Sequence, residues 1–183
     1  MPAGYGALTH YYNILNGLVP PGAARFCTIP DFVAAHLSGR TAPLLHASMA
    51  ASLGLFDEID GTFDTRALAA AGLDAALFPP VARGAAVLGQ TPGGCAVTVA
   101  IGDNQASFAG AVRDAQNTLL VNIGTGSQIS CRTPLPVQTP GTESRPYLTG
   151  DFLWVGAALC GVRAYALLEQ FFRQVAAGAG ANP

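Results

Sequence analysis

Residues Val97 to Ile101 form a run that is apolar but for Thr98, ends on Gly102-Asp103 and passes straight into a helical stretch, Asn104 to Val112. A run of that length and character predicts a strand buried on both faces. Such a strand needs covering layers, which commits the chain to an α/β fold. It also fixes where chemistry can sit. Open α/β sheets bind their ligands outside the carboxyl ends of the strands, and Asp103 stands at that edge.

The residues before this strand read as helices, and those after it mostly as strands. Tyr5 to Leu15 carries apolar residues at helical spacing and is closed by Gly17 and Pro20-Pro21. Thr28 is an N-cap with Pro30 in the first turn of a helix through Leu37, ended by Gly39. Ser48 to Leu55 is a third helix, and Asp64 caps a fourth, Thr65 to Ala71, stopped by Gly72. Ala85 to Leu88 is a strand. Thr118 to Ile123 and Gln128 to Arg132 are strands joined through Gly124-Thr125-Gly126-Ser127, a hairpin signal. Pro134 to Pro146 reads as a Pro-rich loop, Phe152 to Val155 as a strand, and Val162 to Val175 as the last helix. The Ala- and Gly-rich tail that follows should not stay helical. A polar stretch, Val112 to Asn117, is the expected domain boundary.

Composition closes off several functions. Half the residues are hydrophobic, enough for a folded core, and the basic residues are nine arginines with no run among them. Nothing therefore recruits nucleic acid or an anionic membrane. Cys27, Cys95, Cys131 and Cys160 form no C-x-x-C pair, and no His stands at metal-ligand spacing from them, so they are expected as buried thiols in a reducing compartment. The start lacks a signal-peptide pattern. The longest clean apolar run, Phe152 to Val162, falls short of the roughly 20 residues of a membrane span, so a cytoplasmic protein is expected.

Two constellations carry chemistry. In Ala100-Ile101-Gly102-Asp103-Asn104-Gln105-Ala106, the Asp103 carboxylate can take the proton of a hydroxyl that attacks phosphorus, and Gly102 would let a ligand come close. A cap on the following helix, a role of about 0.5–2 kcal/mol, would explain the same residue. In Val121-Asn122-Ile123-Gly124-Thr125-Gly126-Ser127, a glycine-flanked turn exposes main-chain N–H groups and a Thr hydroxyl, which suits phosphate oxygens. An ordinary hairpin turn would look alike. It is no Walker loop, because the chain contains no lysine.

Taken in order, Gly102-Asp103-Asn104-Gln105-Ala106-Ser107-Phe108 and Asn122-Ile123-Gly124-Thr125-Gly126-Ser127-Gln128-Ile129-Ser130 resemble the signature of the FGGY carbohydrate kinases. Thr28-Ile29-Pro30-Asp31-Phe32-Val33 with Leu37-Ser38-Gly39, and His46 to Ser52 with Gly54-Leu55-Phe56-Asp57, are similar to the family's upstream segments. The resemblance spans essentially the whole chain. Its wording, with Gly4-Tyr5-Gly6, is most like the branch of the family that acts on sedoheptulose.

The resemblance implies an actin/hexokinase-like (ribonuclease H-like) fold of two domains closing on a cleft. Residues 1–113 would end the sugar-binding domain and 114–183 would begin the nucleotide-binding domain. Asp103 falls at the family's catalytic base and Asn104 at a sugar contact. Gly124, Thr125, Gly126 and Gly161 fall where the ATP phosphates are held. ATP and Mg²⁺ are the implied cofactors, with no metal ligand assigned in this chain. A small-molecule sugar is the implied partner, and a homodimer is a further expectation.

The chain departs from the pattern in two places. The family's Asp-x-Gly-Thr-Thr phosphate hairpin has only Asp60-Gly61-Thr62 as a partial match, which reads as a surface turn. The Gly-rich adenosine segment has no counterpart after Ser130. The chain is therefore expected to begin inside the first domain, to stop early in the second, and to be inactive in isolation. Xylulokinase-like or gluconokinase-like kinases, a non-catalytic remnant, and an actin-like scaffold are the competing readings. Trp154, Phe152, Phe171 and Phe172 are expected in the core, Arg163, Arg113 and Asp114 at the surface, and His10 and His46 without chemistry.

Overall fold

A computed structural model describes residues 4–124, 126–158 and 161–180. Helix α1 (Gly6–Leu15) is followed by α2 (Ile29–Leu37), whose start is fixed by a capping box. Thr28 accepts from the Asp31 N–H while Asp31 accepts from the Thr28 N–H, pairing two orphan donors of the first turn. Strand β1 (Leu45–His46) leads into α3 (Ala47–Leu53), which ends on Gly54 and on Leu55 at φ 55°. That left-handed pair turns the chain into the hairpin of β2 (Phe56–Asp57) and β3 (Thr62–Phe63). Helix α4 (Thr65–Ala70) starts on Asp64, which accepts from the Arg66 and Ala67 N–H groups. A 3-10 turn (Ala75–Leu77) and β4 (Val81–Ala82) complete this half, with β4 parallel to β1.

Strands β5 (Val87–Gln90) and β6 (Ala96–Thr98) form an antiparallel ribbon before α5 (Asp103–Ala111). Strands β7 (Leu119–Ile123), β8 (Ser127–Thr133), β9 (Thr142–Pro146) and β10 (Phe152–Ala158) make one antiparallel sheet in the order β7-β8-β10-β9. Helix α6 (Val162–Gly178) follows.

The core is divided among small clusters. Ala7, Leu68, Leu73 and Phe78 form one, with Phe26 and Phe63 packed against it, and Leu45, Ala50 and Leu53 form another around α3. Each fully buried leucine contributes about 1.5–3 kcal/mol relative to exposure. Phe108 of α5 inserts among Tyr147, Leu153 and Val155, its ring edge-on to Tyr147 at 5.6 Å, and so fastens α5 to the four-stranded sheet. A second tie is the Gly84–Thr149 bridge with the Ala85 N–H on the Leu148 carbonyl at 3.0 Å.

Several expectations need correction. The strand before Gly102 stops at Thr98 and is not buried on both faces: Ala96 and Thr98 are exposed. Among the described residues β6 pairs only with β5, and α2 covers the ribbon through Ala34, Leu88 and Val99. The first strand of that ribbon lies at Val87–Gln90, two residues beyond its expected start. The Pro-rich loop contains β9, because Gly141 turns the chain back and the edge of β10 supplies the missing hydrogen-bond partners. Helix α6 continues through Gly178, into the stretch expected to fray. Phe171 and Phe172 are exposed on α6, whereas Phe152 is buried and Trp154 half-buried with its indole N–H on Thr142 Oγ1 at 2.8 Å. Cys27 and Cys131 are half-buried, Cys95 is exposed, and Cys160 lies outside the described residues. Among the described residues no helix is long and apolar enough to cross a membrane.

Candidate active site

Asp103 is the first residue of α5, and Gly102 is its N-cap. The acidic side chain stands in the first turn, where the helix's partial positive charge favours it. Its Oδ1 accepts from the Asn104 N–H at 2.7 Å, a bond to its own neighbour rather than a cap on N2 or N3. The side chain is exposed into a cleft of about 410 Å³, which Asn104 also lines. Asn104 Oδ1 is buried and has no hydrogen-bond partner among the described residues.

Gly102 has a different function from the one expected. A Cβ there would sit 2.3 Å from Gln105 Oε1 and 3.3 Å from its Cδ, so the room is taken by Gln105 and not by a ligand. Gln105 is buried and its Nε2 donates to the Pro146 carbonyl at 2.8 Å, which ties the start of α5 to β9.

A buried relay fixes this turn from behind. The Gly102 N–H donates to Ser48 Oγ at 3.1 Å, and Ser48 Oγ lies 2.8 Å from His46 Nδ1, which also accepts from the Ser48 N–H. That pattern assigns the His46 proton to Nε2. Burial lowers the pKa of His46, so the ring stays neutral and Nδ1 stays an acceptor. His46 thus acts through Ser48 and Gly102 as a positioning residue. The other expected bystander, His10, is buried and stacks on Phe26 at 5.0 Å.

Three further charged groups line the cleft: Glu58 from the β2–β3 turn, and Glu143 and Arg145 from β9. The β9 residues are two apart and so share a face of the strand. Arg145 donates through Nε and Nη2 to Glu143 Oε2 at 3.1 and 2.8 Å. The Glu58 carboxyl is pushed up to about 7, first by burial and then by the Glu143 charge, with Arg145 opposing and Asp57 adding to the rise. Sequence reasoning missed all three. The available signal was the alternation in Thr142-Glu143-Ser144-Arg145, a polar strand pattern hidden by its prolines.

The second glycine site is a separate knot. The Gly124 N–H donates to the Gly126 carbonyl at 2.8 Å, and the Val162 N–H donates to the Gly124 carbonyl at 2.9 Å. Gly161 is the N-cap of α6 and is packed against this turn. A Cβ on it would lie 2.4 Å from Gly124 O, 2.8 Å from Gly126 O and 2.7 Å from Ser127 Oγ. Thr125, expected at the centre of the turn, lies outside the described residues. Gly124 and Gly126 are exposed; the Gly124 N–H is spent on the Gly126 carbonyl, so of the two it is the Gly126 N–H that an anion could meet. The structure brings Gly124, Gly126 and Gly161 together and gathers Asp103 and Asn104 in the cleft, whose lining includes none of these three glycines. Among the described residues no three His, Cys, Asp or Glu gather in a way that could hold a metal ion. The residues present do not by themselves make a Mg²⁺ site.

The fold is similar to that of part of solved sugar kinases. A xylulose kinase from Brucella ovis superposes with a TM-score of 0.72 at 19% identity, covering 97% of this chain and 36% of that one. A gluconate kinase from Lactobacillus acidophilus superposes at 0.66 and 16% identity, over 86% and 34% of the two chains. These likenesses, with the α/β architecture, show part of an FGGY-type sugar-kinase fold. By sequence the chain is 32% identical to human (Homo sapiens) sedoheptulokinase over 167 residues, which takes in 84% of this chain and 35% of that protein. No family profile matches. The chain is thus related to the sedoheptulokinases over most of its length and spans about a third of the length of the curated relatives it matches.

Proposed function

We propose that this chain is the central part of an ATP-dependent FGGY-type kinase that phosphorylates a hydroxyl of a ketose, with sedoheptulose giving sedoheptulose 7-phosphate. The observation that carries this reading is the convergence of Asp103 and the unpartnered Asn104 Oδ1 on one cleft, in a chain related to sedoheptulokinases. Residues 1–113 would belong to the sugar-binding domain and residues 114–183 to the nucleotide-binding domain. The absence of a regular element between Ala111 and Leu119 supports that division.

ATP, when bound, supplies the phosphoryl group; the chain's own residues prepare the acceptor. Asp103 Oδ1 is engaged by the Asn104 N–H, and Oδ2, which makes no hydrogen bond among the described residues, would take the hydroxyl proton as the sugar oxygen attacks phosphorus. The Asn104 side-chain amide would orient the sugar. The relay from Gly102 through Ser48 to His46 keeps the Asp103 turn at the cleft edge. The exposed Gly126 N–H, in a turn closed off at the back by Gly161, would donate to a phosphate oxygen. The isolated 183 residues are expected to bind sugar without turning it over.

The test is ATP-dependent phosphorylation of sedoheptulose by the full-length gene product, beside Asp103→Asn and with xylulose as competitor. Activity on sedoheptulose that collapses in the variant supports the class and the base. Activity confined to another sugar changes the substrate. A fully active Asp103→Asn protein removes Asp103 as base.

A further inference from the structure

The polar wall formed by Glu58, Glu143 and Arg145 bears on which sugars the cleft admits. With Asp103, the lining carries three carboxylates and a single guanidinium. Two of the three Arg145 nitrogens, Nε and Nη2, meet the same oxygen, Oε2 of Glu143, so the one cation of the lining is shared with a carboxylate while Glu143 Oε1 makes no hydrogen bond among the described residues. Glu58 is half-buried beside Glu143, where solvent screens its charge incompletely. Packing of α3 against β9 holds the chain leading to Glu58 near the strand that bears the other two.

Building on the sugar-kinase reading above, we propose that Glu58 and Glu143 form a charge filter that admits neutral polyhydroxy ketoses and rejects sugar acids. Hydroxyl groups are donors, and ionised carboxylates are acceptors only, so a neutral polyol satisfies the wall without adding charge. A ligand carboxylate would meet an excess of like charge, with the one cation already paired to Glu143, the repulsive half of a specificity device. The discrimination matters on this fold, because solved neighbours include both xylulose and gluconate kinases. The Glu143 side chain is 69% exposed and lines the same cleft as Asn104.

Calorimetric titration of the 183-residue chain with sedoheptulose, xylulose and gluconate, above the pKa of Glu58, tests this. Both ketoses should bind, with gluconate weaker by about tenfold or more, the scale expected of like-charge juxtaposition. In Glu58→Gln/Glu143→Gln that gap should close to about threefold or less, chiefly by a gain for gluconate. Glu143→Gln alone changes an exposed group and leaves the fold intact, so a partial gain for gluconate there keeps the result independent of any folding defect at Glu58. An unchanged ratio with ketose binding intact overturns the filter and leaves the sugar site standing. Binding of no sugar by the wild-type chain removes the sugar-site reading itself, and the filter with it.

Discussion

The two glycine-bounded turns differ in what their glycines avoid. At Gly102 a Cβ would meet the end of the Gln105 side chain, whereas at Gly161 it would meet two main-chain carbonyls and a serine hydroxyl. A side chain can swing aside at the cost of its hydrogen bond, while a hairpin main chain cannot move without breaking the hairpin. The first turn is also anchored from behind by a buried histidine and serine, and the second only by its own main chain and the start of α6. The Asp103 edge is thus a side-chain construction and the glycine knot a main-chain one. The former should answer to polar substitutions, the latter to volume.

The largest effect that would sharpen this contrast is Asp103→Asn. It should lower phosphoryl transfer in the full-length gene product by about 10²–10⁴-fold with little change in sedoheptulose affinity, read as kcat against KM. Next, Gly161→Ala should destabilise by about 1–3 kcal/mol in urea unfolding and weaken ATP binding while sparing sugar binding. Gly102→Ala should cost less and act on the sugar. If Gly102→Ala proves the more damaging to stability, the distinction between the turns fails. Ser48→Ala should cost about 1–3 kcal/mol, because it leaves the part-buried Gly102 N–H without a partner. Faster hydrogen exchange at the Gly102 amide would locate that loss.

The smallest effect concerns Glu58. Its carboxyl titrates higher in the folded chain than when unfolded, so between its ordinary value and about 7 the native state holds the extra proton. Stability should fall as pH rises through that window, and Glu58→Gln should flatten the fall. Thermal unfolding of both proteins at about pH 5 and about pH 8 gives the comparison; parallel profiles would mean that the carboxyl is solvated in both states.

The helices were the most legible part of the sequence. Thr28-x-x-Asp31 and Asp64 announce their caps by residue type, and Gly39 and Gly72 end their helices at φ 70°. The Asp103 and Asn104 site was legible because it lies within one local stretch. Glu58, Glu143 and Arg145 were not, because what makes them a site is their meeting across β2–β3 and β9, and nothing in their local sequence encodes that meeting. Helix α6 shows the same limit from the other side. Its helical period is plain, yet none of its described residues is buried, whereas in the shorter α3 Ala47, Ser48, Met49, Ala50 and Leu53 all are.

By itself the sequence determined where the chain turns, which stretches are helical, and that an Asp stands at the start of a helix while a glycine hairpin comes after it. Those outcomes rest on local forces: caps, backbone freedom and periodicity act within a few residues. Only the tertiary structure decided that His46 supports Asp103, that Gln105 fills the space beside Gly102, that Gly161 closes the phosphate turn, and that three carboxylates share a cleft with one arginine. Each of these joins residues distant in the chain, whose proximity comes from burial and strand pairing, and the residue types alone do not fix it.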